Sequence, residues 1–205
     1  SKKQLYMKVN FNKTPNNLIP AIIQDNETKN VLMLGYMNQE ALDQTLATKK
    51  VTFFSRTKNR LWTKGEESGN FLELISIKED CDNDTLLIKV NPVGPVCHTG
   101  DDTCWGEENE ESDIQFLEYL QDFIDQRKHE MPEGSYTTSL FTKGTRTIAQ
   151  KVGEEAVETI IGAMANDDEN FIYEGADLLY HLIVLLSHKG YRIEDLAREL
   201  KKRHK

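Results

Sequence analysis

The sequence is short of cationic side chains, with 25 Lys and Arg against 34 Asp and Glu and a formal net charge of -9. An acidic chain repels phosphate backbones, which argues against a broad nucleic-acid surface. It does not argue against a nucleotide, because divalent metals held by acidic residues invert the local field. The sequence also lacks any run approaching the about 18 consecutive apolar residues of a membrane span. Its first residues, SKKQLYMKVNF, contain neither a long apolar core nor a small-residue cleavage site. No membrane partner and no secretory signal are therefore expected, and a cytoplasmic setting is. Cysteine is scarce, at three residues: Cys81, Cys97 and Cys104. An odd count without an export signal argues against a disulfide framework. In a reducing compartment such thiols read as metal ligands or nucleophiles. What remains is 205 residues, 38% hydrophobic and 29% charged, enough for one ordinary soluble domain or two small ones.

The hydrophobic period changes partway along the chain. The first half reads as short strands rich in β-branched and aromatic residues, at 20–23, 30–35, 51–56, 61–64, 71–77 and 85–90. Turn formers such as Asp25-Asn26 and Lys58-Asn59 separate them. One helix interrupts this half, over 39–48, with Asn38 as its N-cap. From Ser112 onward Ile114, Leu117, Leu120 and Ile124 recur at helical steps. Ser112 with Gln115 forms a capping box, and Pro132 with Gly134 ends the run. A second helix is expected from Thr147, capped by Gln150, to about Met164, a third over 168–187, and a last near 193–202. The acidic stretch Gly106–Ser112 lacks apolar residues and reads as a linker. The expected class is α+β, with a mostly β domain over 1–106 and an all-α domain over 112–205.

Two constellations carry chemistry. In the first half, Asp80, Asp82 and Asp84 alternate around Cys81. In an extended chain residues two apart share a side, so the carboxylates line one face and the thiol the other. Carboxylates suit Mg²⁺ and thiolates suit Zn²⁺. A plain polar turn between two strands is the alternative. Farther on lies Cys97-His98-Thr99-Gly100-Asp101-Asp102-Thr103-Cys104. The seven-residue spacing of these cysteines is not that of a zinc-finger knuckle. Taken singly, each is as readily a small buried hydrophobe. Together, three thiolates make a zinc site with an open fourth position, the catalytic arrangement. His98 is placed to shuttle a proton.

The DCDND and CHTGDDTC segments, with Phe54-Ser55-Arg56 and the run from Leu61 to Asn70, closely resemble phosphoribosyl-AMP cyclohydrolase. The resemblance covers roughly residues 18–105. It implies a homodimer with Zn²⁺ at the subunit interface, bound by Cys81 of one chain with Cys97 and Cys104 of the other. It also implies Mg²⁺ on Asp80, Asp82 and Asp84, and hydroxide generated at zinc attacking adenine C6 to open the ring. Metal-bound hydroxide attacks the same carbon in zinc deaminases. Ser55, Arg56, Trp62, Lys64, Gly65, Ser68 and Gly69 form the expected substrate cradle. Arg56 and Lys64 supply positive charge, and the glycines permit close backbone approach. Trp62 either stacks on a base or packs in the core.

In the helical half Glu155 and Glu158 are three apart, as are Glu174 and Asp177 on the next helix. Two antiparallel helices with such pairs can clamp Mg²⁺ between them. Acidic helix faces are usually only solvated, but Glu174 and Asp177 sit in a strongly apolar helix. This pattern resembles the all-α MazG-type pyrophosphohydrolases. The stretch from Gly134-Ser135-Tyr136-Thr137 to Lys151-Val152-Gly153-Glu154-Glu155 narrows the resemblance to phosphoribosyl-ATP pyrophosphohydrolase, over about 114–201. It implies metal on Glu155, Glu158, Glu174 and Asp177 and hydrolysis between the α- and β-phosphates. Arg146 and Lys151 are candidate phosphate contacts. Glu154 is either a further ligand or a base, with Glu155 also a catalytic candidate. His181 is expected to pack rather than to ligate. Fused chains with both domains in this order form a known bifunctional family, acting on phosphoribosyl-ATP and then phosphoribosyl-AMP in histidine biosynthesis. Three rivals stand beside this reading. They are a catalytically dead helical dimerisation module, a general nucleoside-triphosphate pyrophosphatase with a structural zinc domain, and a non-enzymatic metal-sensing module.

Overall fold

The computed structural model describes residues 7–204. The chain divides into two compact units between Glu111 and Ser112.

The first unit is built on six strands: β1 (Ile19–Asp25), β2 (Val31–Met37), β3 (Thr52–Ser55), β4 (Arg60–Thr63), β5 (Leu72–Glu79) and β6 (Leu86–Pro92). Four of them form a sheet in the order β2-β1-β6-β5, and β3 and β4 form a separate hairpin. Within the sheet β1 runs antiparallel to β2 and parallel to β6, while β5 and β6 form an antiparallel hairpin. The two inner strands alternate buried and half-buried residues, so one face is core. Ile19, Ala21 and Ile23 of β1 meet Leu86, Ile88 and Val90 of β6 in that core, with Leu32, Met37, Phe53 and Leu72. Helix α1 (Gln39–Thr48) begins where expected, the Asn38 side chain accepting the Ala41 amide at 2.9 Å. Its Thr45 hydroxyl accepts the Thr52 amide at 2.9 Å, which ties the helix to β3.

The acidic segment expected to be a linker is in part stitched into this unit. The Asn109 side chain donates to Asp25 at 2.8 Å and accepts from the Thr28 hydroxyl at 2.7 Å. Its backbone amide donates to Asp102 at 3.0 Å. Asp25 is buried, and this bond joins those it accepts from the Glu27 and Thr28 amides.

The second unit contains five helices: α2 (Phe116–Glu130), α3 (Tyr136–Lys143), α4 (Thr145–Met164), α5 (Asp168–His188) and α6 (Ile193–Arg203). The Ser112–Gln115 capping box is present, with reciprocal bonds of 2.9 and 3.2 Å. Sequence reading missed α3, whose β-branched and polar residues Thr137, Thr138, Ser139 and Thr142 suit helices poorly. It also started α4 two residues late. Gly144 occupies the N-cap, Thr147 lies inside the helix, and the Gln150 amide bonds forward to Glu154 at 2.9 Å. Helices α4 and α5 form a tight antiparallel hairpin, with Gly162 against the Phe171 backbone and Gly175 against Thr159. Ile124, Leu140, Ile148, Ile183 and Val184 make the core. At its edge Arg192 bridges Asp122 and Asp125 of α2 at 2.7 and 2.9 Å, joining the start of α6 to that helix.

Gly35 of β2 gives a local test of packing in the first unit. A Cβ at this position would lie 2.4 Å from the ring of Phe53, which is buried. Gly35→Ala is expected to lower unfolding free energy by roughly 1–3 kcal/mol, the usual cost of overpacking. Chemical denaturation checks it, and an unchanged midpoint would refute the packing.

Candidate metal and nucleotide sites

The first unit has a cavity of about 640 Å³ between the β3–β4 hairpin and the loop that follows β6. Its lining includes Ser55, Trp62, Lys64, Gly65 and Ser68, with Cys97 and His98 opposite. The cradle expected from the sequence is thus largely assembled on one wall. Gly65 sits at φ +90°, and a Cβ there would meet the Asn70 carbonyl carbon at 2.5 Å. That turn therefore requires glycine. Trp62 packs against the core and also has a face on the cavity. Its ring packs 5.8 Å from Phe53 and also borders the cavity, with the Lys64 ammonium 5.1 Å from its centroid.

Two expected members lie elsewhere. Arg56 stacks over the Tyr36 ring at 4.1 Å and does not line the cavity, and neither does Gly69. Thr57, Lys58, Glu66 and Asn70, within the same 55–70 stretch but not singled out from the sequence, also line it. Glu66 pairs with Arg60 at 2.7 Å, and that hydrogen bond holds its carboxyl below the usual carboxylate range. Arg60 opens β4 and Glu66 lies in the turn just after it, a proximity visible only once β4 is placed.

The thiols fall into two places. Cys97 and Cys104 share one loop, whose C-terminal end is anchored on β2. The Cys104 amide bonds the Leu32 carbonyl at 2.9 Å and the Trp105 indole bonds the Val31 carbonyl at 2.7 Å. Hydrogen bonds from Thr99 lower the Cys97 pKa, whereas desolvation raises that of Cys104. His98 Nδ1 lies 3.8 Å from the Cys97 sulfur. Cys81 is exposed on the β5–β6 turn, its thiol donating to Asp82 at 2.7 Å. That bond raises its pKa.

This turn corrects the extended-strand picture of Asp80, Asp82 and Asp84. The Asp80 carboxylate accepts the Asp84 and Thr85 amides at 3.0 and 3.1 Å, and Asn83 adopts a left-handed φ of 61°. The three carboxylates therefore do not alternate along one strand face. The Lys13 ammonium bonds the Asp82 carbonyl and pairs with Asp84 at 3.5 Å.

Among the described residues, one set of three possible metal ligands comes together within 4.8 Å: Glu155, Glu158 and Glu174. It joins α4 to α5, as the sequence pairs predict. Asp177 lies outside that distance, though its charge helps to raise the Glu155 pKa. Glu155 is buried, and its Oε2 has no hydrogen-bond partner. Burial first, then the neighbouring carboxylates, pushes Glu174 up to about 7, and burial likewise raises Glu155. Carboxylates crowded with an orphaned buried oxygen fit a divalent cation, which would supply the missing partner charge. Glu154 faces another way. It pairs with Lys151 at 3.1 Å and accepts from Gln150, and both bonds lower its pKa. Arg146 is exposed near the start of the same helix.

The crowding makes a pH-linked prediction. Glu174 is raised above its ordinary 4.5 to about 7, so between these pH values the folded chain holds more protons than the unfolded one. Without metal, stability is therefore expected to fall as pH rises through that window. Melting followed by far-ultraviolet circular dichroism in chelator should show the decline, and Mg²⁺ should suppress it. A pH-independent midpoint in chelator would contradict the assignment.

Comparison with known families divides the chain as the two constellations do. The family described as phosphoribosyl-AMP cyclohydrolase matches residues 33–106, and that described as phosphoribosyl-ATP pyrophosphohydrolase matches 117–204. A protein of Bacteroides thetaiotaomicron, named histidine biosynthesis bifunctional protein HisIE, is 71% identical over 198 residues, 97% of each chain. Its namesake in Vibrio cholerae is 56% identical over 92% of this chain and 90% of its own. That of Campylobacter jejuni is 54% identical over 99% and 98%.

Proposed function

The chain belongs to the family of bifunctional histidine-biosynthesis enzymes that join a phosphoribosyl-AMP cyclohydrolase to a phosphoribosyl-ATP pyrophosphohydrolase, and we propose that its two units perform these steps in reverse chain order. The second unit takes phosphoribosyl-ATP and releases pyrophosphate. The first unit then opens the adenine ring of the phosphoribosyl-AMP so formed. The observation that carries this reading is that each matched family spans one chemically distinct constellation, thiols in one unit and clustered carboxylates in the other.

In the second unit Glu155, Glu158 and Glu174 would hold Mg²⁺, with Asp177 beside them. A bound divalent ion would supply charge neutralisation for the phosphates. Lys151, one helical turn before Glu155, takes up phosphate charge as its partner Glu154 is released. Arg146 is the second candidate cation for the triphosphate. Glu155 suits proton acceptance from the attacking water, because its buried oxygen has no other partner. The products are phosphoribosyl-AMP and pyrophosphate.

In the first unit Cys97 and Cys104 of one chain, with Cys81 of a second copy, would hold Zn²⁺. Bound zinc supplies water acidic enough to ionise near neutral pH. An exposed Cys81, set on a different turn from the other two thiols, suits a ligand shared between chains and hence a homodimer. Asp80, Asp82 and Asp84 would hold Mg²⁺ on displacing Lys13 from the turn. His98, beside Cys97, moves the proton as water adds at C6 and the N1–C6 bond breaks. Lys64, Ser55, Ser68 and the Gly65 turn hold the phosphoribosyl end while Trp62 lies along the base. A cytoplasmic location accords with thiols kept reduced. No helix among the described residues is long and apolar enough to cross a membrane.

The experiment is a product assay on the purified chain with phosphoribosyl-ATP, Mg²⁺ and Zn²⁺. Both pyrophosphate and ring-opened product are expected. Cys97→Ala or His98→Ala should lower ring opening by at least about 100-fold and leave pyrophosphate release intact. Glu155→Gln or Asp177→Asn should do the reverse. A folded variant of either class that silences both steps would refute independent sites.

A further inference from the structure

Two consecutive residues of α5, Tyr180 and His181, grip two consecutive residues at the start of α3, Tyr136 and Thr137. The Tyr136 hydroxyl lies 3.0 Å from His181 Nε2, and Thr137 bonds the Tyr180 hydroxyl. His181 is buried and sits one turn after Asp177, with Nδ1 2.8 Å from the Asp177 carbonyl. A carbonyl only accepts, so Nδ1 carries the proton. In the neutral ring Nε2 is then an acceptor, and the Tyr136 hydroxyl donates to it. In that tautomer donation runs from Tyr136 inward, through His181, to the Asp177 carbonyl of α5. The His181 ring meets Tyr136 edge-on at 6.0 Å and 85°, while the Tyr136 and Tyr180 rings stack at 6.5 Å.

The consequence lies at the phenol oxygen. With its O–H engaged by His181, that oxygen presents only lone pairs elsewhere. The Tyr136 ring is half exposed and borders an open cavity of about 520 Å³ with Ser135, Ser139 and Lys143. Lys151 of α4 lies close enough to interact electrostatically with Tyr136 and Glu155 as well as its nearer partner Glu154. On the proposed pyrophosphohydrolase reading, Lys151 must leave Glu154 and turn to a polyphosphate.

We propose that His181 and Tyr136 form a positioning pair for the phosphohydrolase site: His181 aims the Tyr136 oxygen as an acceptor beside Lys151, holding that ammonium toward the substrate's phosphates. The inference rests on the function assigned above to the second unit. It gives His181 a task beyond helix packing and makes α3 a part of the site.

The test uses the full chain with phosphoribosyl-ATP at saturating Mg²⁺. Tyr136→Phe and His181→Phe should each lower kcat for pyrophosphate release about 10–100-fold, the range for partners that orient a reacting group. KM should change less than about threefold, because the lost contact matters mainly in the transition state. The double variant should be no worse than the poorer single one, since both remove one interaction. His181→Gln, which keeps an acceptor, should recover much of the loss. Ring opening of supplied phosphoribosyl-AMP is the control within the same molecule and should not change.

Tyr136→Phe removes one oxygen from a half-exposed ring, so it carries the test if His181→Phe fails to fold by circular dichroism. An active wild-type chain with undiminished Tyr136→Phe overturns the pair alone. So do multiplicative losses in the double variant, or a folded Gln variant as slow as Phe. A wild-type chain that releases no pyrophosphate overturns the functional reading itself, and the pair's role with it.

Discussion

Groups of like charge repel when brought near one another, and that constraint shapes both units. In the helical unit the carboxylates are brought together within the chain. Glu155 is buried with an unpaired oxygen, and Glu174 answers by holding its proton to about pH 7. The close α4–α5 hairpin is what keeps the three side chains together despite their repulsion. Protonation is one relief of that repulsion, and the divalent cation proposed above would be another.

The β unit meets the constraint by separation. Cys81 sits on the β5–β6 turn and bonds Asp82, while Cys97 and Cys104 share a loop pinned to β2. The acidic turn is meanwhile partly neutralised by Lys13. Charge is thus managed by local pairing rather than by burial. The two strategies follow from the elements available. A helix pair places side chains on facing surfaces along its whole length, whereas a sheet offers its chemistry mainly at turns and loops.

Much of this was legible in the sequence because local signals agreed with the fold. All six strands and α1 occur close to their expected positions, and Asn38 caps α1 as its residue type demands. The carboxylate pairs were readable because helical spacing fixes which residues share a face. Helix α3 was not, because its four hydroxyl residues compete for the backbone in isolation. Its stability is tertiary, supplied by Leu140, Phe141 and the grip of Tyr180 on Thr137. Arg56 was chosen for its charge, and its guanidinium is found over the Tyr36 ring, outside the cavity lining. At Asp80–Asp84 the polar-turn alternative is the one observed, because alternation says nothing of which residues reverse the chain. Asp80, bonding two amides beyond it, decides that.

The bonds made by Asn109 bear on where one enzyme ends and the other begins. Composition draws the border at the first acidic residue after Trp105, but hydrogen bonding carries it past Asn109 to Asp25, Thr28 and Asp102. A chain severed at Gly106 would withdraw a donor from the buried Asp25 and free one end of the segment that bears Cys104. A scission a few residues later would spare both. Sites that are chemically independent are therefore not separable at any convenient point: the covalent border belongs to the thiol loop's own support, and evolution or an engineer dividing the two activities must respect it.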